Sequence, residues 1–242
     1  MAINTNSNTY TIIYASVVVV IVAFLLAFVS KVLEPQSKAN ERIDKKKQIL
    51  SSLNIRGLKN GEVEARYEKV IQADQIINSE AKVIADGKQH DKDGFALSMK
   101  EIGPNRLPIY VCRIAPGNEG LKYVFPLVGK GLWGAIWGYI ALNSDLLTVY
   151  GVYFSHQSET AGLGARITEA EFQQQFVGKH ISKPGSDKID LAVVKNGKVQ
   201  DPSVQCDGIT GATLTSDGVS LMLQEGLANY RNFLHQKQKP TL

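Results

Sequence analysis

Four hydroxyl residues, Thr210, Thr213, Thr215 and Ser216, crowd into the stretch "QCDGITGATLTSDGV" between Gln205 and Val219. Gly208, Gly211 and Ala212 stand among them, with Asp207 ahead and Asp217 behind. So little bulk permits a tight turn and a close approach of another molecule to the backbone. Downstream, Val219, Leu223, Leu227, Tyr230 and Leu234 recur at helical spacing, which predicts one helix over residues 215–235. A helix start presents unpaired N–H groups and the positive end of the dipole, so the segment suits a phosphate-bearing ligand. One Ser or Thr would suffice as an N-cap. Four exceed that need.

Two further segments carry chemistry. "GKGLWG", Gly129 to Gly134, matches G-x-G-x-x-G letter for letter. A dinucleotide fingerprint needs those glycines to open a helix, with an acidic residue on a second strand. Here "AIWGYIALN" follows, aromatic and strand-like, and no such acid is in place. The dinucleotide reading is excluded. A hairpin turn is expected, with a partly exposed Trp133 able to pack against a flat ligand near the glycine backbone. "FSHQSETAGLGARI", Phe154 to Ile167, closes another strand-like run. His156 and Glu159 do not make a metal site, because His90, His180 and His235 are scattered. Glu159, Thr160 and the amides around Gly162 to Gly164 instead suit the carbonyls and ring nitrogens of a heterocycle.

The elements that must position these residues follow an apolar N-terminus. Thr11 to Ser30 carries no charge and is long enough to cross a hydrocarbon core of roughly 30 Å as a helix. No lysine or arginine precedes it and no small-x-small cleavage site follows, which favours an uncleaved anchor over a signal peptide. It holds no ionisable side chain, so it is an anchor and not an ion path. Lys31, Lys38, Arg42 and Lys45 to Lys47 follow the span and, by the positive-inside rule, favour a cytoplasmic domain. The expected organisation is a tail at 1–10, an anchor at 11–30, a charged helical stalk at 31–56 and a domain at 57–242. Residues 86–106 are polar and Gly-rich, an expected exposed excursion. From Leu107 onward, short aromatic and β-branched runs separated by turns predict a mostly antiparallel sheet, with "IDLAVV" as a later strand closed by the "KNGK" turn. The class is α+β. A net charge of +4, without zinc-knuckle spacing or RNA-binding aromatics, argues against nucleic acid. Cys112 and Cys206 lie too far apart for a CxxC motif and are expected as free thiols.

"DGITGAT" resembles the D-x-x-[ST]-G-A-[ST] signature of the covalent FMN-binding domain family, in which FMN is joined to threonine by a phosphoester. With "GKGLWG", "HQSETAGLG" and a single anchor ahead of them, the chain resembles the C subunit of the Na+-translocating NADH:quinone reductases. The resemblance implies that Thr213 is flavinylated, and that Asp207, Thr210, Gly211 and Ala212 form the signature read by a flavin transferase. In the family that enzyme moves FMN from FAD using a metal ion. It further implies FMN contacts from Trp133, Glu159, Thr160, Leu163, Gly164, Leu214 and Thr215, with no resident metal. The implied role is an electron relay without an NADH site, passing electrons toward the FMN of the B subunit. The complex carries electrons from NADH to ubiquinone and exports sodium; the B, D and E subunits are the implied partners. The implied location is a bacterial inner membrane, crossed once, with the FMN domain periplasmic against the flanking charges; long domains translocate regardless of nearby charge. The G subunit of the Rnf ferredoxin:NAD+ reductase, which also bears FMN on an anchor, and a membrane-anchored FMN-binding sensory or interaction domain are the alternative resemblances.

Overall fold

A computed structural model describes residues 7–89 and 91–238; His90 and most of the expected tail at 1–10 lie outside them. Helix α1 (Asn8–Ser52) runs through the expected anchor and into the expected stalk, ending four residues short of its expected end. Among the described residues it is the one helix long and apolar enough to cross a membrane. The chain divides into two compact units, residues 1–45 and 46–242.

Six strands form the sheet of the second unit: β1 (Ile71–Ile77), β2 (Val83–Ala85), β3 (Leu107–Arg113), β4 (Leu121–Lys130), β5 (Ala135–Asn143) and β6 (Val149–His156). Their order is β2-β1-β3-β4-β5-β6, every pair antiparallel. The expected α+β class with a mostly antiparallel sheet is what the chain adopts. Side chains alternate across β4. Tyr123, Phe125 and Leu127 enter a core shared with α4 (Thr213–Ala228) and α5 (Arg231–Gln238). Val124 pairs with Tyr110 and Pro126 with Tyr139, on the other face. There α2 (Asn60–Val70) and the Lys46–Ser52 end of α1 bury Val63, Tyr67, Ile49 and Leu50. Each such aliphatic or aromatic side chain contributes about 1.5–3 kcal/mol by leaving water.

Three expectations differ from the structure. The C-terminal helix begins at Thr213 and is two helices, broken where Tyr230 is pinned by donating its hydroxyl to the Pro108 carbonyl at 3.0 Å and packing edge-on against Phe125. All five residues of the expected apolar face are nonetheless buried. The excursion at 86–106 is not wholly exposed: Phe95 and Leu97 are buried, because Asp74 Oδ2 accepts the Phe95 N–H at 2.8 Å and Tyr67 stacks edge-on against that ring. The "KNGK" turn closes no hairpin. Strand β7 (Ala192–Val194) pairs in parallel with β8 (Gln205–Asp207), since the Gln205 amide oxygen gathers the N–H groups of Gln200 and Asp201 and brings the chain back in the same direction. Between the sheet and β7, α3 (Ala170–Gln174) is a single short turn-like helix. Cys112 and Cys206 are free and buried, and burial pushes the Cys206 thiol up to about 12 and that of Cys112 higher.

Candidate functional site

The three motif segments meet at one carboxylate. Glu159 is 7% exposed; its Oε1 accepts the Trp133 N–H at 2.8 Å and its Oε2 accepts the Thr215 hydroxyl at 2.6 Å. Its own N–H donates to His156 Nδ1 at 3.1 Å, so that histidine braces the loop. Two hydrogen bonds offset much of the cost of burying the carboxylate.

Local geometry explains the meeting. Gly129 and Lys130 pair with Ile136 and Ala135, and the Gly131 N–H donates to the Gly134 carbonyl at 2.8 Å. "GKGLWG" is therefore the β4–β5 hairpin turn, as expected, and not a helix-opening phosphate loop. Close approach of α4 to that turn depends on two glycines. A Cβ on Gly129 would stand 2.6 Å from the Met222 Cβ, and one on Gly218 would stand 2.5 Å from the Lys130 carbonyl oxygen.

Ala212 is the N-cap of α4 and supplies no side-chain cap, which leaves Thr213 as the first helical residue. The four hydroxyls then divide. Thr210 accepts from the Asn196 amide at 2.7 Å, Thr215 donates to Glu159, and Ser216 accepts the Ile209 N–H at 3.0 Å. Thr213 is exposed, and its hydroxyl makes no hydrogen bond among the described residues. Three hydroxyls build the frame and one is left for chemistry. Asp207 is clamped: its N–H and carbonyl both pair with the Gln175 amide, and its Oδ1 accepts the Gly197 N–H at 2.7 Å. Gly211 adopts φ +80°, a left-handed turn that favours glycine, beside Leu163.

The expected ligand contacts also divide. Glu159, Gly164, Thr215 and Ala212 are buried in the frame. Trp133, Leu163 and Leu214 are exposed by 66%, 41% and 61%, an apolar rim around the Thr213 end of α4. Thr160 is exposed and its carbonyl takes the N–H groups of Leu163 and Ala165. A cavity of about 150 Å³ is lined by Lys195, Asn196, Gly211, Thr213, Ser216 and Asp217, and a cleft of about 400 Å³ lies on the Asp207 and Thr210 side. An exposed, unengaged hydroxyl at a helix start, a small cavity with polar side chains in its lining and an apolar rim together fit a flavin nucleotide. A separate cavity, about 620 Å³ between residues 181–189 and the two C-terminal helices, shares none of these residues. Gln175, Lys195, Asn196 and Gly197 were missed as site residues by sequence reasoning; "KNGK" was the only signal for the last three, and Gln175 had none.

The family model of the FMN-binding domain matches residues 131–228. The solved structure of the C subunit of Na(+)-translocating NADH-quinone reductase from Parabacteroides distasonis aligns with a TM-score of 0.75 at 39% identity, covering 84% of this chain and 96% of that one. Two further C subunits of that enzyme are similar along most of their length. That of Haemophilus ducreyi is 28% identical, over 89% of this chain and 88% of its own. That of Pseudomonas aeruginosa is also 28% identical, over 91% of each.

Proposed function

Because the chain belongs to the C-subunit family of the Na+-translocating NADH-quinone reductases and carries an FMN-binding domain, we propose that it is an electron relay with FMN joined by a phosphoester to Thr213. Electrons pass from it toward the FMN of the B subunit. The observation that carries this reading is the division of hydroxyls: Thr210, Thr215 and Ser216 are engaged by the protein, and Thr213 is not. Bound FMN supplies the electron-carrying ring, while the chain supplies binding and orientation. Thr213 gives the ester oxygen. The first-turn N–H groups of α4, without intrahelical partners, favour the ester's remaining charge. Trp133, Leu163 and Leu214 offer apolar surface to the ring, with Thr160 beside them. Glu159, Gly164 and Thr215 hold that rim to the helix start.

The hairpin geometry of Gly129 to Gly134 supports a protein fed by a partner and not by NADH. Helix α1 is the anchor in a bacterial inner membrane, with the FMN domain in the periplasm among the B, D and E subunits. A flavin transferase reads Asp207, Thr210, Gly211 and Ala212 during maturation, using FAD as donor.

The test is the intact mass of the full chain expressed with its flavin transferase, beside Thr213→Val. A gain equal to FMN less water, with in-gel fluorescence that the variant loses completely, is expected. No gain in the wild-type chain despite an active transferase would overturn the reading.

A further inference from the structure

We propose that the turn after β7 is the second half of the flavin acceptor site: Lys195 binds the nucleotide phosphate beside Thr213, and Asn196 sets the Thr210 hydroxyl as a donor to it. This deepens the Thr213 reading and rests on it. Lys195 lines the same small cavity as Thr213, and its ammonium makes no ion pair or hydrogen bond among the described residues. Asn196, the next residue, gives its amide N–H to Thr210 Oγ1 at 2.7 Å. A hydroxyl that accepts in this way keeps its own proton to donate.

The turn is fixed to the signature segment on both sides. Before it, the Val194 carbonyl accepts the Gly208 N–H at 2.6 Å; after it, Gly197, at φ +73°, donates to Asp207 Oδ1. Within it, the Lys198 N–H closes on the Lys195 carbonyl at 2.9 Å. Asp207 thereby holds the lysine turn in place as well as belonging to the signature. The cavity also contains Asp217, an exposed carboxylate that opposes an incoming phosphate. Lys195 is the cation that offsets it.

In the transfer, Thr213 Oγ forms a bond to the phosphorus of the FMN half of FAD. The bond from that phosphorus to the oxygen bridging to AMP breaks, AMP leaves with the oxygen, and the threonine proton passes to a base of the transferase. Negative charge gathers on the phosphoryl oxygens during this exchange, and one charge stays on the finished ester. A lysine ammonium is suited to both states as a compact point charge.

The experiment measures the initial rate of FMN incorporation into the full apo chain in detergent, with FAD and the transferase, by intact mass at low and high salt. Lys195→Ala is expected to load about fivefold more slowly, the scale of one partly exposed charge contact, and with a weaker response to salt. Lys195→Arg restores most of the rate, Asp217→Asn exceeds wild type at low salt, and Asn196→Ala is slowed by about threefold, one neutral hydrogen bond. Thr213→Val stays blank. Equal rates for wild type and Lys195→Ala, with Thr213→Val blank, overturn this proposal and leave the Thr213 reading intact. A slowed Lys195→Ala that arginine does not rescue, with a lowered unfolding midpoint, also overturns it. A wild-type chain that gains no mass overturns both.

Discussion

Among the ionic side chains buried in the unit spanning residues 46–242, Lys46 and Glu159 lie on opposite faces of the sheet and are held in different ways. On the α2 face, Lys46 is 1% exposed and is neutralised outright: Glu64 lies 2.6 Å from its ammonium, Asp91 2.5 Å, and the Tyr67 and Phe95 rings cover it. On the α4 face, Glu159 is held by a backbone N–H and a hydroxyl, both neutral. Ion pairing at Lys46 fastens α1 to α2 and to the 86–106 segment. Hydrogen bonding at Glu159 joins the motif segments and leaves the carboxylate's field uncancelled beside the exposed rim. One device is for holding the fold together, the other for holding a site in register.

The largest stability effect is expected at Lys46. Lys46→Met leaves Asp91, whose side chain is 12% exposed, without its ammonium and should lower the unfolding free energy by about 3 kcal/mol. Urea unfolding of the full chain in detergent, followed by tryptophan fluorescence, gives the number. At equal folded fraction, FMN loading should be unchanged. Glu159→Ala should cost less stability, about 2 kcal/mol for two orphaned donors, yet slow FMN loading, because the Trp133 turn and the helix start lose their common partner. Glu159→Gln should recover most of both losses, its amide oxygen accepting from Trp133 and its amide nitrogen donating to Thr215. If Lys46→Met slows loading as much as Glu159→Ala does, the division between fold and site fails.

The sequence made the α4 face legible because period 3.6 is a local signal, and Val219, Leu223 and Leu227 are buried as it requires. It could not show the break at Tyr230, which comes from a partner on β3. Nor could it rank the four hydroxyls, whose partners Asn196 and Glu159 are distant in sequence. Crowded hydroxyls looked like a single attachment cluster; three of them turn out to tie the loop to other elements. Glu159 was legible as a site residue but not as the junction of three segments, since both of its donors lie in motifs distant from it in sequence. Phe95 and Leu97 were masked by their polar neighbours, and the parallel pairing of β7 with β8 by a turn dipeptide that usually closes a hairpin. At Tyr230, Phe95 and Glu159 a contact far along the chain outweighs a local preference.

Asp74 offers the smallest effect and the finest cut through the comparison, since it is a buried carboxylate on the Lys46 face. Its Oδ2 accepts the Phe95 N–H, and burial raises its carboxyl above the ordinary value of 3.8 despite that bond. A raised folded-state value means that the native chain holds the proton more tightly than the unfolded chain. Its contribution is therefore fully present below pH 3.8 and declines as pH rises through the folded value. Asp74→Asn keeps an oxygen for the Phe95 N–H and removes the titration. At pH 7 the variant should be more stable than wild type, and the difference should close as pH falls toward the ordinary carboxylate range. Parallel urea titrations over that span measure it, since every other group titrates alike in both chains. A variant less stable than wild type at pH 7 would mean that the ionised carboxylate is needed there, placing Asp74 with Glu159 and removing the contrast between the faces.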